Sequence, residues 1–490
     1  MAPLPLLRLR IGAPTPLASL PVLDTPGFRE AILGAVAAGR RLAALFGHPR
    51  EDGRLLLVAV LADGAGGAVE VGTAVVQGSY PALTPQCPQA HLFEREIAEL
   101  WGVRPEGHPW LKPVRAHPPA GGTDFFRVEG EGVHEVAVGP VHAGVIEPGH
   151  FRFQCSGETV HHLEIVLGYQ HRGVEGALVG GPRTRTRHMV ETIAGDTTIG
   201  HTTAYAEILE TLSGTRVPAR AQALRGMALE LERLANHAGD LGALAGDVGF
   251  LPTASFCGRI RGDFLNMTAL LTGNRFGRGL LRPGGVAFDV DPDLRAQLLE
   301  RLDRAERDLA VAADLLWDAP SVRARFEDTG ALAREDCLAL GIVGPAARAA
   351  GLVRDARREF PSGIWRVTQI PVSTAEAGDV LARAFVRGVE AQRSLAFVGE
   401  GLRTLPEGPL LAEVGPLAGD ALALAVTEGW RGEIWHVALT DSAGRFARYK
   451  VVDPSFHNWM GLALAMRGEA ISDFPLCNKS FNLSYCGFDL

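Results

Sequence analysis

Eight side chains, spread over three stretches of the chain, have the types that proton transfer and anion binding require. Glu147 stands between His142 and His150 in Gly139-Pro140-Val-His142-Ala-Gly-Val-Ile-Glu147-Pro148-Gly149-His150. His201 opens His201-Thr-Thr-Ala-Tyr205, and Arg431, Asp453, Ser455 and His457 follow near the C-terminus. A carboxyl group enclosed by apolar surface is raised toward neutrality and suits proton exchange, which makes Glu147 a candidate acid–base group. Its structural alternative is an ion pair with Arg152 or Arg172. His201 suits either a hydrogen-bonded place inside a helical core or a proton-transfer role. Arg431 is a fixed cation with planar donors that could clamp an anion or a polarised carbonyl, or could pair with Glu428 or Glu433.

The bulk properties set limits on partners. At 490 residues and 47% hydrophobic, the chain has ample material for large cores, and a net charge of −8 gives no general attraction to nucleic acid. The run Arg183-Thr-Arg-Thr-Arg187-His188 carries no interleaved aromatic residue and reads as a solvated or interface face. No secretory signal is expected, since Met1-Ala-Pro-Leu-Pro-Leu-Leu-Arg lacks a basic start followed by a long apolar core. The best candidate for a membrane span, residues 55–76, is interrupted by Asp63, Gly64–Gly67 and Glu70, short of the roughly 20 apolar residues a bilayer requires. No two of the six cysteines are separated by two or four residues, so no thiolate metal or cluster motif is present and buried reduced thiols are expected.

Periodicity divides the chain. Residues 27–46 have helical spacing, and two apolar runs at 55–61 and 68–76 flank turn chemistry at Asp63-Gly-Ala-Gly-Gly67, so a helix followed by a β-hairpin is expected. Proline, glycine and charge concentrate at 113–133, which reads as a linker. Two strands turning at Ser156-Gly-Glu158 are expected next, then long Leu/Ala-rich amphipathic helices, notably 218–247 and 293–316. The glycine-rich loop 274–286 lacks the Gly-Lys-Ser/Thr ending of a phosphate cradle.

Several strings resemble known families. His91-Leu-Phe-Glu94-Arg95-Glu96 leading to Gly107-His108-Pro109-Trp-Leu111 is similar to the small peripheral-arm subunit of complex I. Gly139–Phe153, Gly168-Tyr-Gln-His171-Arg172-Gly173-Val-Glu175 and Glu428-Gly-Trp-Arg431-Gly432-Glu433 resemble the quinone-site subunit of complex I and the large subunits of energy-converting nickel–iron hydrogenases. In those hydrogenases the segment matching Val190–Tyr205 carries two nickel-ligating cysteines, and Asp-Pro-Cys-x-x-Cys carries two more. Here Ala194, Thr197, Ser455 and Asn458 occupy the four positions. Nickel in such a site needs thiolate, and these side chains are no substitute. The quinone-contacting tyrosine of complex I falls on Gly195, and its histidine partner on either His142 or His150.

The resemblance implies an α+β chain: a small N-terminal α/β domain over 1–118, a linker at 119–133, and a large mainly helical domain over 134–490 that opens with a β-hairpin. It implies an electron-transfer subunit of a membrane-associated complex I-like or hydrogenase-related oxidoreductase, of NADH-dehydrogenase type at family level, quinone-linked and without nickel–iron hydrogen chemistry. Glu147, His142, His150, His201, Arg431 and Asp453 are the implied acid–base residues, and His142, Arg431 and His457 the implied quinone pocket. No metal ligand and no cofactor is expected on this chain. The implied partners are an iron–sulfur small subunit with the cluster and membrane-embedded antiporter-like and anchor subunits, holding the chain at the cytoplasmic side of the inner (cell) membrane. A structural or coupling subunit without catalysis is the alternative. No C-terminal processing is expected, which would leave Leu490 as the mature end.

Overall fold

Antiparallel pairing of Arg41–Pro49, Leu55–Asp63 and Ala68–Val76 builds the centre of the first sheet, extended by Leu7–Leu9 and Val22–Leu23 on Ala68–Val76. The computed structural model describes residues 6–115, 124–142 and 146–490. The expected helix at 27–46 is two elements: a helix at Thr25–Ala37, capped by Asp24, and the strand Arg41–Pro49. Gly39 at φ +89° ends the helix. Arg41-Leu-Ala-Ala-Leu-Phe46 has good helix formers, but pairing with Leu55–Asp63 buries it completely, and this tertiary gain overrides propensity. The His91–Trp101 helix packs on this sheet and ends at Gly102 in the left-handed conformation.

The expected strand pair at Ser156-Gly157-Glu158 forms as His150–Ser156 and Thr159–Val166, with Val133–Val138 adding a third strand. Helices Thr198–Ser213, Ala219–Asp247, Leu251–Thr272, Pro292–Trp317 and Val380–Arg403 form the helical body. Two of them match the expected amphipathic segments closely. A second antiparallel sheet, Ala421–Gly429, Gly432–Thr440 and Phe446–Val452, was not foreseen. The first two strands are buried along their whole length, so their sequences show no two-residue alternation. The architecture is α+β.

Thr15–Pro16 pairs with the edge of the Ala421–Gly429 strand, so the N-terminal segment contributes to the C-terminal sheet. Buried ion pairs reinforce this seam. Arg41 donates to Glu433 (2.5 Å), Lys450 donates to both oxygens of Glu96 (2.6 and 2.8 Å), and Arg115 donates to Glu96 (2.5 Å). One apolar core runs from Phe28 through Phe153 to Trp459. The division expected at 119–133 falls partly on residues 116–123, outside the described residues. Among the described residues no helix is long and apolar enough to cross a membrane.

Candidate functional site

Asp453 connects the C-terminal helix to the buried centre. As N-cap of Pro454–Ala465 it accepts from the Ser455 amide through Oδ1 (2.8 Å), which leaves Oδ2 for His201 Nε2 at 3.0 Å. His201 lies in the first turn of Thr198–Ser213, and its Nδ1 is 3.2 Å from His436 Nε2. His436 Nδ1 is in turn 2.9 Å from the Tyr449 hydroxyl. All four side chains are sealed from solvent.

The direction of the chain follows from chemistry. An ionised Asp453 can only accept, so His201 donates from Nε2 and accepts at Nδ1. His436 then donates from Nε2, and its Nδ1 accepts from the Tyr449 hydroxyl. Burial raises the Asp453 carboxyl, but the hydrogen bond from His201, with the Arg431 charge after it, outweighs this, and the carboxyl stays below its ordinary value. Burial pushes His436 well below the usual histidine range and lifts the Tyr449 phenol. The arrangement is an oriented hydrogen-bond path that ends on one carboxylate.

Beside it, Arg431 holds Asp196 with two parallel hydrogen bonds, Nη1–Oδ1 at 2.6 Å and Nη2–Oδ2 at 2.8 Å. Nε donates to the Asn482 carbonyl (2.5 Å), and the guanidinium lies 3.9 Å over the Trp430 ring. Burial would raise the Asp196 carboxyl, but the Arg431 charge holds it below the ordinary range. Neither partner anticipated for Arg431 is used. Glu428 accepts from Arg348 and the Ala356 amide, and Glu433 is taken by Arg41 and Trp435. Arg431→Ala is expected to lower the melting temperature, and Asp196→Ala in the same chain to recover part of the loss, because the single variant strands a carboxylate. Strictly additive losses in thermal melts of the three variants would contradict this pairing.

The positions where a hydrogenase-type nickel site needs thiolates are bound into the protein. Thr197 Oγ1 accepts from Trp430 Nε1 (3.2 Å), Ser455 Oγ accepts from the Ser484 amide (2.8 Å), and Asn458 both donates to and accepts from the Val343 backbone (3.0 Å each). Ala194 offers only a methyl group. These residues do not fit a nickel ion, and among the described residues no group of three or more His, Cys, Asp or Glu is placed to hold a metal.

Comparison with known proteins places the chain. Residues 40–120 match the respiratory-chain NADH dehydrogenase 30 Kd subunit and residues 247–420 its 49 Kd subunit. The chain is 31% identical over 436 residues to formate hydrogenlyase subunit 5 of Escherichia coli (strain K12), covering 83% of this chain and 76% of that one. It is 32% identical over 350 residues to the carbon monoxide-induced hydrogenase of Rhodospirillum rubrum, covering 71% and 97%. The chain belongs to the complex I 49 Kd and hydrogenase large-subunit family. Its fold is also that of a chain in the membrane-bound sulfane sulfur reductase, an archaeal respiratory membrane complex, with a TM-score of 0.69 at 22% identity over 73% of this chain and 98% of that one.

In this family member the other anticipated residues fall into two places. Glu147 is half-buried and accepts from the Tyr485 amide (3.3 Å). It does not pair with Arg152, which pairs with Glu135, or with Arg172, which donates to the Thr192, Ile193 and Cys486 carbonyls. Burial, with the Glu147 charge next, pushes the neighbouring Cys486 thiol up to about 11. His142 and His150 contact the Gly149 and Gly139 carbonyls (3.1 and 3.0 Å), tying together the segments on either side of Glu147. They are not part of the His201 path. His457 lies at the seam, edge-on to Phe93 at 5.8 Å, and burial followed by the Arg41 charge lowers it to about 3. It does not contact Arg431. The residues that sequence reasoning missed are Asp196, His436 and Tyr449. Asp196 adjoins Gly195, and the other two face inward from the unforeseen sheet.

Proposed function

We propose that this chain is the electron-transfer subunit of a membrane-associated complex I-like or hydrogenase-related oxidoreductase that reduces a quinone-like acceptor and performs no nickel–iron hydrogen chemistry. The observation that carries the reading is a retained scaffold around lost ligands. Asp453–His201 is a buried pair and Arg431 is buried against a partly exposed Asp196, whereas the four thiolate positions hold an alanine and three side chains engaged in protein hydrogen bonds. Membership in a family with NADH dehydrogenase and hydrogenase subunits supports the redox assignment.

Gly195 is exposed beside this scaffold, and Val141 and Ile146 on the Glu147 turn are 90% and 61% exposed. Such an apolar rim suits a partner surface, and we assign it to the small subunit that carries an iron–sulfur cluster. Quinone reduction takes two electrons from that partner and two protons, one for each carbonyl oxygen, to give the quinol. On this chain Glu147, at the rim, is the group able to exchange protons with an acceptor, and Asp453 and His201 hold the floor of the site in one orientation. Arg431 acts by positioning, since Nε and both terminal nitrogens already donate within the protein. That same saturation favours the second reading, a structural or coupling subunit.

Antiporter-like and anchor subunits in the membrane and a place on the cytoplasmic face complete the assignment. Purification of the tagged chain from native membranes is expected to bring iron, acid-labile sulfide and membrane subunits with it, and to reduce an added quinone. A chain recovered alone, without iron, would contradict the proposal. Recovery of the full complex with no quinone reduction under any donor would favour the structural reading.

A further inference from the structure

Away from the site just described, a small pocket of about 20 Å³ lies between the Thr198–Ser213 helix, the Ala219–Asp247 helix and the Ala421–Gly429 strand, which is room for one water molecule. Two of its lining residues carry buried oxygen atoms without a hydrogen-bond partner in the protein: Glu207 Oε2 and Thr427 Oγ1. The other Glu207 oxygen accepts from Ser362 Oγ at 2.7 Å. Every other charged group at this pocket is matched. Arg225 holds Glu210 with two hydrogen bonds (2.6 and 3.1 Å), Arg357 is shared between Asp355 and Glu230, and Glu428 accepts from Arg348 and the Ala356 amide. Glu207 alone has no cation in contact.

We propose that Glu207 is a proton-binding site whose carboxyl carries a proton on Oε2 and exchanges it with a water molecule held between Glu207 and Thr427. A carboxylate oxygen sealed from solvent with no donor is costly, and a proton on it removes the charge and turns it into a donor. The pocket lining offers such a water three polar groups, the carboxyl, the Thr427 hydroxyl and the Gln222 amide. In each exchange the O–H bond at Oε2 breaks as one forms on the water oxygen, and the water gives up one of its own protons to solvent, so that it stays neutral and no other reactant is needed.

Charges facing Glu207 come from each packed element: Glu210 on its own helix, Arg225 on Ala219–Asp247, Arg366 at 363–366, Arg357 at 356–359 and Glu428 on the strand. Burial dominates, and Ser362, Arg225 and Arg366 only partly offset it, which puts the carboxyl at about 7. The folded value exceeds the ordinary 4.5, so the stability from this proton is complete below about 4.5 and is lost as pH rises through about 7.

Infrared spectra of the full-length chain across pH 5–9 test this. A protonated-carboxyl band that titrates near neutrality and is missing from Glu207→Gln is expected. Thr427→Val, which keeps the side-chain shape but removes the hydroxyl that holds the bridging water to the ionised carboxylate, is expected to raise the proton affinity of Glu207 by about two- to tenfold, the worth of one hydrogen bond. Wild-type and Glu207→Gln spectra with the same titrating bands would overturn the site. An unshifted midpoint in a folded Thr427→Val chain would overturn the water bridge.

Discussion

Glu96→Gln is expected to destabilise the chain by about 3–5 kcal/mol, the cost of removing one partner from a buried ionic cluster. Glu96 accepts from Lys450 and Arg115, and all three side chains are at most 5% exposed. Without the carboxylate, Lys450 keeps only Glu175 (3.0 Å), which already serves Arg448 (2.9 Å). The loss acts on the contact between the N-terminal sheet and the C-terminal sheet, so both should melt together and earlier. The pH dependence follows from the same contacts. Burial raises Glu96, but the Lys450 and Arg115 charges outweigh it and hold the carboxyl at about 2. The folded value lies below the ordinary 4.5, so this stabilisation is present above about 4.5 and is lost as pH falls toward 2. Denaturant unfolding at pH 7 and at pH 2.5, inside that window, measures both effects. Wild-type stability of the variant at pH 7 would contradict the cluster's role.

Asp453→Asn is expected to lower quinone reduction by the assembled complex on the order of a hundredfold while the complex still assembles. The substitution separates two roles. Asparagine is as good an N-cap as aspartate, so the Ser455 contact and the helix start should survive. What goes is the charge that fixes His201 with its proton on Nε2, and an amide can present either a donor or an acceptor there. A change in the pH profile of the rate should accompany the loss, because the oriented path through His201 and His436 no longer ends on an anion. An unchanged rate, or a chain that fails to join its partners, would contradict a positioning role for Asp453.

The parts of the fold that read clearly were those with one buried face. The 292–317 helix has a 3.6-residue stripe, and the Ser156-Gly157-Glu158 turn separates two strands, whereas the 219–247 helix, buried nearly all round, was legible from its length and Leu/Ala content. The C-terminal sheet has no such signature because its strands are buried on both sides, and with it went His436 and Tyr449, whose importance lies in facing His201 across that sheet. Asp453 and His201 were legible as types, but their contact joins residues 252 positions apart. Arg431 was legible as a cation, whereas its true partner Asp196 lies 235 positions upstream and the nearby Glu428 and Glu433 are occupied elsewhere. Local sequence suggested those two because it cannot show that Arg348 and Arg41 reach them first.

The central claim is a hydrogenase-type scaffold turned to chemistry without nickel. Its most direct test is to purify the native complex through this chain, remove the affinity tag, and measure nickel content and hydrogen evolution beside quinone reduction. Four thiolate positions filled by Ala194, Thr197, Ser455 and Asn458 give, on this account, far less than one nickel per chain and no hydrogen evolution, together with measurable quinone reduction. About one nickel per chain together with hydrogen evolution would contradict it.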